Sequence, residues 1–254
     1  MYHLEVRGLS KHFGGIRAIE EISFSVKNGA IQSIIGPNGA GKTTLFNCLT
    51  GFLKPTKGGI VLREKEITGM SADRINRLGI SRTFQNIRLF REMSVIENVM
   101  VAQHSMIRSG LVPAVLRLSG FKREEKEVRE RAFEYLEFLG LEALAGKTAG
   151  SLAYGLQRKI EIARTMATGA LLILLDEPTA GMNPLETDEM MTIIRNLREL
   201  GKTIVLIEHD MKVVMGISDR IVVIDHGVKI AEGAPQEIRN DPMVIDAYLG
   251  KEMQ

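Results

Sequence analysis

A short, nearly all-apolar run that stops at a glycine, followed by a loop and a helical pattern, constrains this chain more than any other feature. Ile31–Ile35 reads IQSII, and the helical pattern after the loop continues to Gly51. Such a run, bounded by glycine, is typical of a strand covered on both faces of a sheet. Similar runs occupy Leu171–Leu175, Thr203–Ile207 and Ile221–Ile224, with helical patterns between them. The chain is therefore predicted to form a mostly parallel α/β sheet with crossover helices.

The loop after the first of these strands carries a phosphate-binding pattern. Residues 36–43 read GPNGAGKT, which fits G-x-x-x-x-G-K-[ST] between a strand and a helix. Glycines allow backbone N–H groups to curl around phosphate oxygens, and the start of the following helix adds a favourable dipole. In this pattern Lys42 reaches the β- and γ-phosphates and Thr43 holds Mg²⁺. The predicted nucleotide-binding residues of this loop are Gly36, Pro37, Asn38, Gly39, Ala40, Gly41, Lys42, Thr43 and Thr44.

A second part of such a site is expected at the end of another buried strand. The run LLILLDEP carries Asp176 and Glu177 at its end. We expect Asp176 to support the Mg²⁺ shell and Glu177 to activate the attacking water. Many strands end in solvated carboxylates, so two acids alone are weak evidence. Their combination with the glycine-rich loop, in this chain order, favours a site of nucleotide hydrolysis.

Helical patterns differ between the core and the middle of the chain. The helix after Asn183 has a clear start signal, because Asn183 can cap it, Pro184 suits the first position and Glu186 completes a capping box. The middle, 87–168, holds no buried-strand run, and 121–139 places its apolar residues at helical spacing. The alternating charges of KREEKEVRER indicate a solvated helix face rather than a basic nucleic-acid patch.

The same patterns predict how the chain is organised. Leu4–Leu9 and Ile22–Val26 are hydrophobic, β-rich stretches near the N-terminus. We predict one domain over the whole chain, in which 1–86 and 169–254 form a nucleotide-binding α/β core. The helical subdomain, 87–168, is inserted between two strands of that core.

Composition limits the classes of function. The 254 residues are 44% hydrophobic, with 33 basic and 31 acidic side chains and a net charge of +2. This excludes a disordered chain, and it argues against a dedicated nucleic-acid binder. The apolar runs are shorter than the roughly 20 residues that cross a bilayer, and the N-terminus lacks the apolar core of a secretory signal. Cys48 is the only cysteine, which fits a reducing cytosol and a thiol packed in the core.

Together with further segments, these motifs resemble the nucleotide-binding subunit of ATP-binding-cassette (ABC) transporters over essentially the whole chain. Gln85 in RTFQ resembles the family's Q-loop glutamine, and His209 in IEHD resembles its switch histidine. SLAYGLQRKIEIAR resembles the signature segment, which opens a helix. The resemblance implies a P-loop cassette with a mostly parallel sheet core, an N-terminal antiparallel β subdomain and an inserted helical subdomain.

The resemblance also implies roles for individual residues. Phe13 in KHFGG lies where the family places an aromatic ring against adenine, although a Phe between two strands is also commonly a core residue. The catalytic residues that it implies are Glu177, His209 and Gln85. The metal site that it implies consists of Thr43, Gln85 and Asp176. The signature residues expected at the ATP of an opposing subunit are Leu152, Ala153, Tyr154 and Gly155.

Two segments depart from the family pattern. The signature is usually LSGGQ, and here 152–156 reads LAYGL. Ala153 lacks the hydroxyl expected at the γ-phosphate, and Leu156 lacks the hydrogen bonds of the glutamine, whereas Gly155 and the helix start are kept. AGMN replaces the usual SALD, so that Asn183 offers an amide where a carboxylate is expected. The changes bear on the signature half-site rather than on nucleotide binding.

Within the family, the chain most resembles one of the two ATPases of branched-chain amino-acid importers. The phrases RTFQNIRLFREMSVIENVMVAQH and IEHDMKVVMGISDRI, the middle stretch 105–123 and the terminal DAYLG carry this likeness. It implies a cytoplasmic subunit, peripheral on the inner face of the cell membrane, that closes with a second ATPase, identical or not, around two Mg·ATP. Its other partners are then two transmembrane permeases and, indirectly, a periplasmic binding protein; no nucleic acid is expected.

Three other functions remain open at this point. The chain could serve another ABC transporter, such as one for urea or lipopolysaccharide. A soluble ABC ATPase of DNA repair or translation is disfavoured by the single cassette, the lack of a zinc-type cysteine set and the near-neutral charge. A P-loop kinase does not explain LAYG, Gln85 and His209 together.

Overall fold

The computed structural model describes residues 1–103 and 119–249. The chain divides into two compact units, one formed by Met1–Arg82 with the chain from Leu171 onward, and the other by Thr83–Ala170. Residues 105–118 of the predicted middle stretch, and Gly250 of DAYLG, lie outside the described residues.

The first unit contains an antiparallel sheet of four strands, β1 (Tyr2–Phe13), β2 (Ile16–Lys27), β4 (Lys57–Leu62) and β5 (Lys65–Glu66). Their order in the sheet is β2-β1-β4-β5. The first two strands extend beyond Leu4–Leu9 and Ile22–Val26, because the hairpin continues through residues of mixed polarity and burial to a turn at Gly14, whose φ is +58°.

The strands of the second sheet in this unit are β3 (Ile31–Ile35), β6 (Ile80–Arg82), β7 (Leu172–Asp176), β8 (Thr203–Ile207), β9 (Arg220–Asp225) and β10 (Val228–Gly233). Their order is β10-β9-β3-β8-β7-β6, and the sheet is parallel except for the pairing of β10 with β9. Every residue of β3, β7 and β8 is buried, which confirms that these short, mostly apolar runs are buried strands. The short β6 and the partly exposed β10 lie at the two edges and were not predicted.

The helices differ in how they begin, because Ser94, Asn183 and Asp210 cap theirs with a side chain whereas others begin without one. In chain order they are α1 (Lys42–Leu49), α2 (Ala72–Arg77), α3 (Val95–Ala102), α4 (Ser119–Phe138), α5 (Tyr154–Ala167), α6 (Pro184–Glu199), α7 (Met211–Ile217), α8 (Pro235–Arg239) and α9 (Pro242–Leu249). The predicted start of α6 is confirmed, because the Asn183 side chain accepts hydrogen bonds from two backbone N–H groups and the Glu186 carboxylate accepts one from the N–H of Asn183 at 3.0 Å. Among the described residues, none of the helices is long and apolar enough to cross a membrane.

The second unit holds α3, α4 and α5, with short 3-10 turns at Glu142–Leu144 and Ala149–Ser151. On α4 the predicted apolar positions Val128, Ala132 and Leu136 are buried. The opposite, charged face carries i,i+4 ion pairs such as that between Arg123 and Glu127 at 3.2 Å. The alternating charges are therefore a solvated helix face, as predicted.

Cys48 lies on α1 within the main hydrophobic cluster of the first unit. Burial raises the pKa of its thiol to about 11. Because the thiolate is the reactive form, this cysteine is inert at neutral pH and serves as a packing residue, as predicted.

Candidate active site

The glycine-rich loop joins the end of β3 to the start of α1, and its backbone is tightly enclosed. Gly36 has φ +151°, and a Cβ there would lie 1.9 Å from the carbonyl oxygen of Ile224 on β9. Gly41 has φ +101°, and a Cβ would lie 2.5 Å from the carbonyl oxygen of Ala18 on β2. Both positions therefore require glycine for packing as well as for conformation.

Lys42 turns back into this loop. Its Nζ donates hydrogen bonds to the carbonyl oxygens of Gly36 at 2.6 Å and Pro37 at 2.9 Å, and the residue is 8% exposed. By contrast, Asn38, Gly39 and Thr43 are exposed. The N-cap of α1 is a glycine and makes no side-chain hydrogen bond to the first turn. The loop thus presents a lysine, exposed backbone and an uncapped helix start to one region, an arrangement suited to an anion.

The predicted site residues Glu177 and His209 lie at the same edge of the six-stranded sheet as the glycine-rich loop. Strand β8 lies between β3 and β7, all three are parallel, and Asp176 pairs with Ile207. The carboxyl end of β3 leads into the glycine-rich loop, that of β8 leads to His209 and that of β7 leads to Glu177. The topology therefore gathers segments that are far apart in the sequence, at the edge where open α/β sheets bind ligands.

Glu177 adopts a strained backbone conformation beside His209. Its φ is +47°, and its N–H donates to the carbonyl oxygen of Ile207 at 2.9 Å. A non-glycine residue in this region of conformational space costs on the order of 1–2 kcal/mol and is often found at functional sites. The Glu177 side chain is 19% exposed, and its Oε1 lies 3.8 Å from Nδ1 of His209.

Glu208 was missed by the sequence prediction, and it ties together the loops that carry Glu177 and His209. Its carboxylate is fully buried and accepts hydrogen bonds from the N–H of Thr179 at 3.0 Å, the hydroxyl of Thr179 at 2.5 Å and the N–H of His209 at 3.1 Å. A carboxylate at the end of an apolar strand was the available signal. The bonds of the Glu208 carboxylate fix the spacing between the loops that follow β7 and β8.

The oxygen groups of this unit fit a magnesium ion. Thr43 presents an exposed hydroxyl on the first turn of α1, and Asp176 presents a carboxylate at the end of β7. Hydroxyl and carboxylate oxygens are the ligands that Mg²⁺ takes alongside phosphates. Asp176 is buried, and its Oδ2 accepts a hydrogen bond from Arg82 at 2.6 Å.

Phe13 ends β1 and is 45% exposed, so it is not a core residue. The Nζ of Lys11 lies 4.9 Å from the centroid of its ring. An exposed ring at the tip of a hairpin is free of the core packing that would prevent stacking on a ligand.

In the second unit, the signature segment opens α5, as the resemblance implied. Ala153 is the N-cap and makes no side-chain cap, and the helix begins at Tyr154. Ala153 and Tyr154 are exposed, Leu152 is half-buried and Gly155 is buried. Because the alanine side chain has no hydrogen-bond acceptor, the N-cap residue leaves the N–H groups of the first turn of α5 without a side-chain partner.

Gln85 is exposed, and the backbone around it is held by α5. Arg158 donates to the carbonyl oxygens of Phe84, at 2.5 Å, and of Gln85. Glu161 accepts a hydrogen bond from the N–H of Arg88 at 2.8 Å and pairs with Arg158 at 2.9 Å. Burial raises the pKa of the Glu161 carboxyl, whereas the bonds from Arg88 and Arg158 favour its charged form and oppose that shift. This clamp was also missed, because its partners lie more than seventy residues apart.

Two family models match the chain. A family model described as ABC transporter matches residues 19–180. A second, described as branched-chain amino acid ATP-binding cassette transporter, matches residues 228–253. The chain belongs to the ABC transporter family and is an ATP-binding cassette of that family.

Within this family, the chain is similar over nearly its full length to ATP-binding proteins of branched-chain amino acid transport. The chain is 53% identical to the high-affinity branched-chain amino acid transport ATP-binding protein LivG of Salmonella typhimurium, over 98% of each chain. It is 51% identical to LivG of Escherichia coli, with the same coverage. It is 50% identical to BraF of Pseudomonas aeruginosa, which carries the same description, again over 98% of each chain.

Solved structures confirm the predicted fold class. The ADP conformation of MJ1267, an ATP-binding cassette of an ABC transporter, superposes with a TM-score of 0.86 at 34% identity and covers 98% of this chain and 99% of that one. The dimeric, post-hydrolysis cassette MJ0796, bound to ADP and phosphate, gives a TM-score of 0.77 at 27% identity, with 91% and 98% covered. The prediction of an ABC ATPase cassette is therefore confirmed.

Proposed function

We propose that this chain is the ATP-hydrolysing motor subunit of a membrane importer for the branched-chain amino acids leucine, isoleucine and valine. The observation that carries the proposal is its identity of 50–53%, over nearly the full length, to LivG and BraF. The match of its C-terminal residues 228–253 to the branched-chain cassette model supports the same substrate class. The cassette itself contacts ATP, and the amino acid is handled by its partners.

The residues of the nucleotide site have different roles in ATP binding and hydrolysis. The backbone of the glycine-rich loop and Lys42 bind the phosphates of ATP. Glu177 takes the proton of the attacking water as general base, and its strained backbone supports this role. His209, 3.8 Å from Glu177, contacts the γ-phosphate. The exposed ring of Phe13 stacks on the adenine.

Thr43 and Asp176 would hold Mg²⁺ at the phosphates, with Gln85 as a further proposed ligand. Mg²⁺ held there would neutralise charge on the phosphate oxygens. The hard oxygen groups of these side chains support the assignment. Gln85 lies in the unit that also carries the signature helix. The bonds from Arg158 and Glu161 to the backbone at 85–88 support a role in which Gln85 and the signature helix respond together to nucleotide.

The motor works as one of a pair. Leu152–Gly155 contact the ATP held by a second ATPase subunit, as the exposed start of α5 supports. ATP drives closure because it binds the closed pair more tightly than the open one. The pair lies at the inner face of the cell membrane against two permeases, and a periplasmic binding protein delivers the amino acid.

The test is purification of the tagged full chain from native membranes in mild detergent, followed by reconstitution of whatever complex it carries. Two permeases and a second ATPase, with ATP hydrolysis stimulated by a binding protein loaded with leucine, support the proposal. Stimulation by urea, or by another substrate and not by leucine, overturns the assigned substrate. Recovery of the chain alone, or with DNA or ribosomes, overturns transport and leaves the ATPase assignment standing.

A further inference from the structure

Arg82 is a buried cation that bonds to two elements of the nucleotide site. It ends β6, and its side chain is 5% exposed. One terminal nitrogen, NH2, donates to Oδ2 of Asp176 at 2.6 Å, and the other, NH1, donates to Oδ1 of Asn47 at 2.7 Å. The guanidinium also lies 5.3 Å from the centroid of the Phe46 ring.

These contacts join the two halves of the site. Asn47 and Phe46 lie on α1, the helix whose first turn carries Lys42 and Thr43. Asp176 ends β7, which pairs in parallel with β6. Through its two bonds, Arg82 therefore sets the direction of the Asp176 carboxylate relative to α1.

The chemistry of the side chain suits this task. A guanidinium is planar and rigid, so two acceptors bound to its two terminal nitrogens are held in fixed directions. A carboxylate buried as deeply as that of Asp176 requires a paired charge, because an uncompensated buried charge is strongly destabilising. Groups that hydrogen-bond to metal ligands orient them, and their loss typically costs about 10- to 100-fold in metal affinity or activity.

We propose that Arg82 is a positioning residue for the reaction: it holds the Asp176 carboxylate in the orientation that receives Mg²⁺ at the phosphates. It acts through Asp176 and does not itself contact nucleotide. The inference rests on the proposed role of Asp176. A purely structural role, in which the ion pair only attaches β6 to β7, is the competing explanation.

The test measures Mg²⁺ binding directly, without turnover. The full chain is loaded with a fluorescent, non-hydrolysable ATP analogue in EDTA, and the Mg²⁺ concentration at half-maximal signal is determined by titration. In Arg82→Gln we expect this midpoint to rise by about tenfold or more, while affinity for the analogue in EDTA stays within a factor of two. In an Asp176→Asn background, adding Arg82→Gln should change the midpoint no further.

Arg198→Gln is the matched control, because it removes an exposed arginine that pairs with Asp219 at 3.3 Å, and it should leave the midpoint unchanged. If Arg82→Gln does not fold, Asn47→Ala decides, since it keeps the ion pair but releases one of the two bonds and should raise the midpoint about threefold. The proposal is overturned if every folded variant of Arg82 and Asn47 keeps the wild-type midpoint, whatever its thermal stability. If Asp176→Asn itself keeps that midpoint, the proposed role of Asp176 fails instead.

Discussion

Nδ1 of His209 lies 3.8 Å from Oε1 of Glu177, although the two residues follow different strands of the sheet. The buried carboxylate of Glu208 sets this spacing, because it bonds to Thr179 in the loop after β7 and to the N–H of His209 after β8. Hydrogen bonds within the fold thus place the loops that carry the candidate base and the candidate γ-phosphate contact side by side.

The first prediction concerns Glu177 as general base. Glu177→Gln keeps the shape of the side chain but cannot take a proton, so kcat of the assembled complex should fall by about 100- to 10,000-fold. Nucleotide affinity, measured by titration with a fluorescent ATP analogue, should stay within a few-fold of wild type. Glu199→Gln, on the exposed end of α6, is the control. Normal turnover by Glu177→Gln would exclude the residue as the base.

The second prediction concerns the strain at the same residue. A left-handed conformation costs a non-glycine residue about 1–2 kcal/mol, and the extra backbone entropy of glycine offsets roughly half of that gain. Glu177→Gly should therefore raise the free energy of unfolding by about 0.5–1 kcal/mol while abolishing hydrolysis. His226→Gly, at φ +45° in an exposed turn, should give a similar gain with full activity. Urea unfolding checks both, and a loss of stability in Glu177→Gly would show that the backbone is not strained.

The third prediction concerns the alanine in the signature segment. Ala153 is the N-cap of α5 and provides no side-chain oxygen for the first turn. Ala153→Ser should therefore stabilise the chain by about 1 kcal/mol, seen as a higher midpoint of urea unfolding. Ala153→Val, which adds volume without an acceptor, should bring no gain. Equal midpoints for the serine and valine variants would mean that capping does not limit this helix.

The fourth prediction concerns the clamp between α5 and the backbone near Gln85. Arg158→Gln removes the guanidinium that bonds to the carbonyl oxygens of Phe84 and Gln85. Amide hydrogen exchange in peptides covering 84–88 should then accelerate about tenfold, because opening this segment breaks fewer bonds. Arg123→Gln on the exposed face of α4 should leave exchange in these peptides unchanged. Unchanged exchange in Arg158→Gln would rule out the clamp.

The fifth prediction concerns pH. His3 is buried against the hydroxyl of Thr203, at 2.6 Å from Nδ1, and burial, helped by Arg63, lowers its pKa from 6.5 to about 4. The unfolded chain therefore binds a proton below pH 6.5 that the folded chain rejects. The resulting stability is complete above pH 6.5 and is lost between pH 6.5 and 4, by up to about 3 kcal/mol.

Unfolding of wild type and His3→Gln, compared at pH 7.5 and pH 4.5, checks this difference. The variant should lose less stability on acidification, because it has no group to protonate at position 3. If the two chains lose the same amount, the pKa of His3 is not the cause.

The sequence was sufficient for those parts of the fold that depend on local patterns. Ile31–Ile35 and Thr203–Ile207 match the observed strands residue for residue, because short, mostly apolar runs between turns leave little freedom in the boundaries. The start of α6 was predicted from Asn183, Pro184 and Glu186, since capping is decided within four residues. Both are short-range effects.

The contacts that were missed are long-range. Arg82 and Asp176 are 94 residues apart, and Glu208 and Thr179 are 29 apart, so neither pair has a periodic signal in the sequence. The hairpin strands were predicted too short, because half of each is polar and only the pairing extends it. The roles of the site residues, from Lys42 to His209, stay predictions, and the variants at Glu177 and Asp176 test two of them.

The close fit of Gly36 beneath the carbonyl of Ile224 has a consequence for how ATP is bound. The loop is shaped by its packing against β9 and by the bonds from Lys42, so its order is acquired when the chain folds. A nucleotide then needs little of its interaction energy to arrange the backbone of the loop. A substitution at Gly36 would accordingly lower the stability of the protein first, and weaken nucleotide binding only as a secondary effect.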